Sequence, residues 1–296
     1  MIDAGMPIET ISLASPRYPG RLRRIHDPPP VVYVRGDLRP EEPAVAIVGS
    51  RRATATGRVV AERLAGTLAK SGVAIVSGLA RGIDAAAHRA ALDAGGRTIA
   101  VLGCGLDVAY PPEHAGLMEA ITRQGCVITE FTAGTPPLRG HFPQRNRIIA
   151  GLALGVVVVE GDAHSGAFST AGHALDEGRE VMAVPGSVLN PLSRAPNGLL
   201  RQGATLVETA EDILTAVGLP LPSRPSGQTG RMEPPEGPLA LVWQAVGVEA
   251  THIDQVAHTS GMPVSDVAAL LMGLELQGLV HQLPGKHFIR VEWAAG

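Results

Sequence analysis

Residues 45–52 read VAIVGSRR, and this stretch decides which fold we expect. A run of four apolar residues is followed by Gly49, Ser50 and Arg51, and an amphipathic helical pattern begins at about Thr56. A strand that turns through glycine into a helix directs free backbone N–H groups and the positive end of the helix dipole at the space above the turn. The natural occupant of that space is an anion, and the arginine adds donors that suit phosphate oxygens.

The same strand–turn–helix pattern repeats along the first two thirds of the chain. Apolar runs predict strands at residues 45–48, 73–76, 98–102, 127–130, 156–160, 181–184 and 205–207, with helical patterns between them, for example at 57–71, 84–94 and 166–177. Continuous apolar strands that alternate with helices are typical of a parallel sheet covered on both faces. The sequence therefore predicts a doubly wound α/β fold that binds its ligand beyond the carboxyl ends of the strands.

Arginines and one aromatic residue follow these strands and indicate phosphate chemistry. We expect Arg51 and Arg81 to lie on one rim, where they bind phosphates or form structural salt bridges. If Arg145 and Arg147 are both helical they point about 200° apart, so only one of them faces a cleft while the other is solvated or paired. Phe142 either stacks on a nucleic-acid base or packs as a hydrophobic staple before the helix.

Composition narrows the possible classes of protein. With 45% apolar and 18% charged residues, the chain of 296 residues is predicted to be folded, and neither a membrane-spanning run nor a signal-peptide pattern occurs. Its two cysteines, Cys104 and Cys126, lie in or beside apolar runs, which favours reduced buried thiols and a cytoplasmic location over a disulfide or zinc site. The formal net charge of −3 means that any nucleic-acid contact must come from a local cluster of residues.

Known catalytic patterns are missing from the sequence. There is no P-loop, no H-E-x-x-H and no recognisable Ser–His–Asp spacing, and a possible G-x-G-x-x-G at Gly103 and Gly105 fails at Val108. Four acidic residues could in principle form an acid–base pair; they are Asp84, Asp107, Glu130 and Glu160. A role in capping its helix fits Asp84 better, and a role in its turn fits Asp107 better. We therefore expect a protein without catalytic residues, metal or cofactor.

A linker separates two predicted domains. Residues 219–238 hold six prolines and three glycines, so we place a core at 1–218, a linker at 219–237 and a small domain at 238–296. The small domain has helical patterns at 237–246, 253–258 and 264–277 followed by a β-hairpin, which is the outline of a winged helix. The third helix contains no Arg or Lys and exposes Ser265, Asp266 and Glu275, so we expect it to contact an unidentified protein rather than DNA.

Six motifs together resemble the DNA-processing protein A family, DprA, also called Smf. They are VAIVGSRRAT, VSGLARGIDAAAHRAAL, TIAVLGCGLDVAYPPEH, FPQRNRIIAGL, EVMAVPGSVLNPLSRAPNGLLRQGA and VETAEDIL, within about residues 16–217. The resemblance implies an extended Rossmann-like core that binds and protects single-stranded DNA, forms a homodimer, and loads RecA during natural transformation and recombination. Many members carry an N-terminal helical domain, whose contacts we expect to be absent or replaced here because only about 15 residues precede the core that the resemblance covers.

Carried onto this sequence, the family's motifs imply a set of DNA-binding residues. They are Gly49, Ser50, Arg51, Ser77, Gly78, Arg81, Phe142, Arg145, Asn146, Arg147, Ser165, Gly166 and Thr170. One alternative is a nucleotide-binding enzyme of the phosphoribohydrolase class, although its P-G-G-x-G-T-x-x-E motif is missing and the nearest fragment is residues 184–187. Another alternative is a sensor that binds a small nucleotide in the same cleft.

Overall fold

The computed structural model describes residues 6–162, 165–221 and 235–291. These residues form two compact units, one before and one after the proline-rich segment. Most of the predicted linker, residues 222–234, lies outside the described residues.

A nine-stranded sheet forms the centre of the first unit, in the order β1-β2-β6-β5-β4-β3-β7-β8-β9. Its strands are β1 Ile8–Ser12, β2 Val31–Gly36, β3 Ala44–Val48, β4 Ala74–Ser77, β5 Thr98–Val101, β6 Cys126–Thr129, β7 Gly155–Val158, β8 Glu180–Ala183 and β9 Thr205–Leu206. The seven strands from β3 to β9 are parallel to one another, which confirms the predicted parallel sheet.

The antiparallel pair β1 and β2 extends the sheet at one edge and was not predicted. Strand β2 pairs with β6, whose residues lie about 90 positions later in the chain, so no local pattern marks the pairing. The folded core also starts earlier than the motifs indicated, because β1 begins at Ile8.

Helices cover both faces of the sheet. They are α1 Gly20–Arg23, α2 Ala55–Lys70, α3 Ile83–Asp93, α4 Ala115–Gln124, α5 His141–Leu152, α6 Gly166–Asp176, α7 Arg194–Arg201 and α8 Ala210–Ala216. Alternate residues of β3 enter different hydrophobic clusters: Val45 and Ile47 pack with α2, α3 and α8, whereas Ala46 and Val48 pack with α5 and α6. Because both faces of one strand are buried, the sheet is doubly wound as predicted.

The position of β3 creates the crevice expected of this fold. Strand β3 pairs with β4 on one side and with β7 on the other, so the chain leaves β3 in one direction and returns beside it much later. This reversal of strand order is a topological switch point, where loops diverge above the carboxyl ends of the strands.

The second unit has the architecture of a winged helix. Helices α9 Pro238–Ala245, α10 Ile253–Ser260 and α11 Val264–Leu276 pack with a sheet of β10 Thr251–His252, β12 His287–Arg290 and β11 Val280–Leu283. Ser265 and Asp266 are exposed as predicted. Glu275 is only half-exposed because its carboxylate accepts a hydrogen bond from the backbone N–H of Gln282 at 2.9 Å, which ties α11 to the hairpin.

Two further sequence expectations can be compared with the described residues. Cys104 and Cys126 are both buried and free, as predicted. In the described part of the chain, no helix combines the length and apolar character needed to cross a bilayer.

Candidate functional site

A cleft of about 1010 Å³ lies at the switch point, above the carboxyl ends of β3 and β7. Its walls come from the turn after β3, from α5, from the start of α6 and from the loops that precede α5 and α7. The predicted residues that line this cleft are Gly49, Ser50, Arg51, Phe142, Arg145, Asn146, Ser165, Gly166 and Thr170. A smaller cavity of about 20 Å³ adjoins it and adds Gly78 and Arg81.

The turn after β3 is held by its neighbours on both sides. The N–H of Ser50 donates to the carbonyl of Glu160 at 2.8 Å, and the N–H of Ile83 donates to the carbonyl of Ser50 at 3.2 Å. The hydroxyl of Ser50 accepts from the N–H of Arg52 at 3.1 Å. These bonds leave the side chains of Arg51 and Arg52 exposed at the lip of the cleft.

An acidic side chain that the sequence did not place there lies against the first turn of α2. The carboxylate of Glu160 accepts the N–H of Thr54 at 2.9 Å and the Thr54 hydroxyl at 2.5 Å. The Thr54 oxygen in turn accepts the N–H of Gly57 at 2.9 Å and caps the helix. Because this negative charge already lies against the helix terminus, a phosphate there would be repelled. The positive charge of the cleft must come from arginine side chains.

The loop after β4 is built around Asp84. Its buried carboxylate accepts hydrogen bonds from the N–H groups of Gly78 at 3.1 Å and Ala80 at 3.3 Å. Asp84 therefore organises the loop, and the predicted role as the cap of α3 is wrong. Burial raises the pKa of this carboxyl, and the positive charge of Arg145 opposes the shift. The loop needs glycine at Gly82, where φ is +74° and a Cβ would collide with the carbonyl of Ser50.

Arg145 forms the floor where the two cavities meet. Its guanidinium donates to the carbonyl of Gly78 at 2.8 Å and to the carbonyl of Val101. Burial lowers its pKa to about 10, so the side chain still carries a positive charge at neutral pH. A Cβ at Gly78 would collide with this guanidinium, which explains the glycine at the end of β4. Arg145 is therefore a buried cation that holds two loops together beneath the cleft.

Exposed side chains at the rim combine positive charge with aromatic surface. The guanidinium carbon of Arg51 lies 5.1 Å from the ring centroid of Phe142, within range of a cation–π contact. The ring of Tyr110 lies 5.4 Å from that of Phe142, measured between centroids. Arg81 lines the same small cavity as Arg51, which confirms that the two arginines share a rim, and it pairs with Glu113 at 2.5 Å.

Two predicted residues lie outside both cavities. Arg147 points away from Arg145, as the helical geometry requires, and forms a two-pronged ion pair with Glu130 at 2.7 and 2.8 Å plus a contact with Asp27 at 3.0 Å. The hydroxyl of Ser77 is buried and donates to the carbonyl of Ile47 at 2.7 Å, between strands β4 and β3. Both side chains are therefore engaged in holding the fold together.

The opposite wall of the cleft is neutral and polar where it joins α6. The side-chain amide of Asn146 donates to the carbonyl of Gly166 at 3.3 Å, and the Thr170 hydroxyl donates to the same carbonyl at 3.1 Å. These bonds fix the approach of α6 to α5 and leave the start of α6 beside the cleft.

Several exposed or half-exposed residues of the cleft were not predicted as site residues, among them Arg52, Tyr110, Arg139 and Asp162. Arg52 adjoins Arg51 in the sequence and could have been included on that ground. Tyr110 and Arg139 come from loops whose approach to the cleft depends on the tertiary fold.

The four acidic residues considered as an acid–base pair all have structural partners. Asp84, Glu130 and Glu160 bind the groups described above, and both oxygens of Asp107 lie 2.9 Å from the N–H of Gly134. In the described residues, no group of three or more His, Cys, Asp or Glu side chains is arranged to hold a metal.

Comparisons with known proteins agree with this architecture. Residues 9–218 match the family model described as DNA recombination-mediator protein A, and residues 228–286 match the DprA winged helix domain. Protein Smf of Escherichia coli is 42% identical over 275 residues, which covers 90% of this chain and 74% of that protein. DNA processing protein DprA of Streptococcus pneumoniae is 44% identical over 206 residues, which covers 69% of this chain and 73% of that protein.

Two solved structures share the fold. The crystal structure of DprA from Streptococcus pneumoniae superposes with a TM-score of 0.68 at 43% identity, covering 72% of this chain and 74% of the other. A structure of DNA processing protein A from Helicobacter pylori, described by its single-stranded DNA binding mode, gives a TM-score of 0.64 at 29% identity and covers 71% of this chain and 95% of the other. These matches confirm the predicted family and the predicted fold.

The ion pair between Arg147 and Glu130 provides a test of the structural role of Arg147. Both side chains are only 10% exposed, so we expect Arg147→Met to lower the free energy of unfolding by about 3–5 kcal/mol, because it leaves a buried carboxylate uncompensated. Adding Glu130→Gln should restore part of that loss. Urea unfolding of the two single variants and the double variant measures the coupling, and strictly additive losses would contradict the assigned pairing.

Proposed function

The chain belongs to the DNA recombination-mediator protein A family, and we propose that its cleft binds single-stranded DNA. The observation that carries this proposal is the rim at the switch point, where Arg51 lies against the ring of Phe142 and further exposed arginines line the same cleft. Arg51, Arg52 and Arg139 offer planar donors for successive phosphates, and Arg81 on the adjoining rim offers a further one when a phosphate replaces Glu113 as its partner. Phe142 offers a flat apolar surface for a base.

The chemistry of this rim favours an unpaired strand over a duplex. A base can stack on Phe142 only if its face is free, and stacking of this kind contributes about 1–3 kcal/mol per base. In a duplex the faces of each base are covered by the neighbouring bases, so a duplex would offer the cleft only its phosphates. The Helicobacter pylori relative, whose structure is described by its binding of single-stranded DNA, supports the same assignment.

The local distribution of charge supports DNA binding despite the net charge of −3. Three exposed arginines line the cleft, and buried Arg145 adds positive charge beneath them. Glu113 offsets Arg81 on the adjoining rim. Asp162, which is exposed, and Asp84, which is buried, also line the cleft, so the three exposed arginines outnumber one exposed acid there.

We further propose that the protein works stoichiometrically, as a homodimer in the cytoplasm that protects incoming single-stranded DNA and loads RecA onto it during natural transformation and recombination. Family membership supports the RecA step, and the two buried free thiols suit a reducing compartment. The carboxylates considered for acid–base chemistry are engaged structurally, which supports a binding role over an enzymatic one.

For the winged-helix domain we propose contact with another protein. Helix α11 has no basic side chain, and Asp266 is exposed on it, so phosphates would be repelled from this helix. Met272 and Val264 on the same helix are exposed large apolar side chains that suit a protein surface.

Salt-dependent binding tests the DNA cleft. Arg51→Ala and Arg81→Ala should each weaken binding of a fluorescent oligothymidylate and lower the slope of log K against log salt by about one, because each removes one phosphate contact. Arg39→Ala is the matched control. Arg39 and Arg81 are both 58% exposed and paired with an acid. Arg39, however, lies in the loop before β3, at the amino ends of the parallel strands and not at the carboxyl ends where the cleft lies.

Unchanged affinity and slope in folded Arg51→Ala and Arg81→Ala proteins would remove these residues from the site. A loss in Arg39→Ala equal to theirs would show a general charge effect instead of a defined cleft.

RecA loading is tested separately from DNA binding. On single-stranded DNA covered by a single-strand-binding protein, the wild-type protein should shorten the lag before RecA hydrolyses ATP, and Arg51→Ala should shorten it less. Sedimentation of the free protein measures the proposed dimer. If DNA is bound tightly while the lag is unchanged, the RecA step is wrong and the DNA site stands.

Charge reversal on α11 tests the role of the winged helix. Asp266→Lys should leave binding of single-stranded and duplex DNA within about twofold, with an unchanged salt slope, since α11 meets no phosphate. Asp254→Lys on α10, an exposed acid of the same unit, is the control. A gain in duplex affinity confined to Asp266→Lys would place α11 beside DNA and contradict the assignment.

A further inference from the structure

A tight turn after β8 displays two apolar side chains to solvent. The N–H of Asn190 donates to the carbonyl of Ser187 at 3.0 Å, which closes a four-residue turn. Its central residues, Val188 and Leu189, are each 89% exposed, more than any other large hydrophobic residue in the described part of the chain. The centre of such a turn usually holds Gly, Pro, Asn or Asp, so turn formation alone does not account for this pair.

The turn is fixed by hydrogen bonds on each side. The amide of Asn197 accepts the N–H of Gly186 at 3.1 Å and donates to the carbonyl of Gly186 at 2.9 Å. The Ser187 hydroxyl accepts the N–H of Leu189 at 3.3 Å, and the Asn190 side chain accepts the N–H of Leu192 at 3.0 Å. These bonds fix the backbone of the turn in the conformation in which Val188 and Leu189 are exposed.

The turn is continuous with the cleft. It follows the carboxyl end of β8, at the same edge of the sheet as the turn after β3. Leu192, two residues beyond Asn190, lines the cleft, and its carbonyl accepts the N–H of Gly161 at 2.6 Å. Arg194 follows as an exposed cation at the start of α7.

The loop at the other end of the cleft also carries an exposed apolar side chain beside an arginine. Leu138 is 53% exposed and precedes the cleft arginine Arg139, in the loop between β6 and α5. Strands β6 and β8 are five positions apart in the sheet, so the two loops start about 24 Å apart at a spacing of about 4.8 Å per strand. Exposed apolar side chains thus lie at both ends of a cationic cleft.

We propose that Val188 and Leu189 contact the faces of unpaired bases where a bound DNA strand leaves the cleft, so that the site extends from the β6–α5 loop to the turn after β8. This inference rests on the proposed binding of single-stranded DNA. Leucine and other apolar side chains insert between base steps in protein–DNA complexes, which shows that aliphatic groups can pack against base faces, and the arginines between the two loops select a polyanion.

A folded protein partner fits this turn less well than a DNA strand. A stable protein interface buries about 800 Å² on each partner, and two side chains on a narrow turn supply a small part of that area. A flexible strand already held by the arginines needs only a short additional contact.

Binding of oligothymidylates of increasing length tests the proposal. In the wild-type protein, affinity should rise with length until the strand reaches the turn. The double variant Val188→Ser/Leu189→Ser should bind the shortest strands normally and reach a plateau about five- to tenfold weaker, because it lacks the distal base contact. Its salt slope should be unchanged since no charge is lost, and Leu175→Ser, which alters a 58% exposed leucine on α6, should behave as the wild type.

A strand whose distal positions lack bases distinguishes base contact from other effects. The wild type and the double variant should bind such a strand equally well. Far-UV circular dichroism and the unfolding midpoint verify that the double variant is folded, and sedimentation reports its mass.

Each contrary result has a distinct meaning. If the wild type binds no single-stranded DNA at any length, the proposed function itself fails. If the wild type binds and Arg51→Ala weakens binding, but the double variant binds every length like the wild type, the DNA function stands and this inference is wrong. A change in mass without a change in length dependence would assign the turn to contact between copies of this chain and would also overturn the inference.

Discussion

The cleft depends on the buried guanidinium of Arg145. This one side chain reaches from α5 to the carbonyls of Gly78 and Val101, at the ends of two neighbouring strands, and it lies close enough to Asp84 to shift the pKa of that carboxyl. Buried backbone carbonyls that lack a partner within the sheet need a donor, and the guanidinium of Arg145 supplies one to each of these two. By holding both loops from below, Arg145 lets their other residues form an open cleft.

Neighbouring arginines on one helix have different roles because of helical geometry. Arg145 and Arg147 are two residues apart, so they leave α5 in nearly opposite directions. One enters the floor of the cleft and the other enters a buried pair with Glu130. The exposed charge for a ligand comes from other elements, through Arg51, Arg52 and Arg139. The cleft therefore combines buried cations that build it with exposed cations that remain available to phosphates.

Acidic residues near the site contribute to its construction. Glu160 ties the end of β7 to the start of α2, and Asp84 closes the loop after β4 through two backbone N–H groups. Each carboxylate occupies N–H groups that an anionic ligand would otherwise contact. The exposed donors that remain at the rim of the cleft are the arginine side chains, which are long and end in planar guanidinium groups.

Much of the architecture follows from local sequence alone. The alternation of apolar runs with helical patterns determined the seven parallel strands, since a strand buried on both faces must be apolar throughout. The proline-rich segment and the helical periods after it determined the winged helix. The motifs around Arg51, Arg81 and Phe142 also brought the candidate residues to one edge of the sheet, because carboxyl ends of parallel strands share one edge.

Tertiary structure alone decided what each side chain does at that edge. Pairing of β2 with β6, the inward turn of Arg145, the outward pairing of Arg147 and the arrival of Tyr110 and Arg139 all join residues far apart in the chain. Local patterns encode which elements form and which faces are apolar. They do not encode which distant carbonyl or carboxylate will meet a given arginine, because that depends on how the completed sheet brings its loops together.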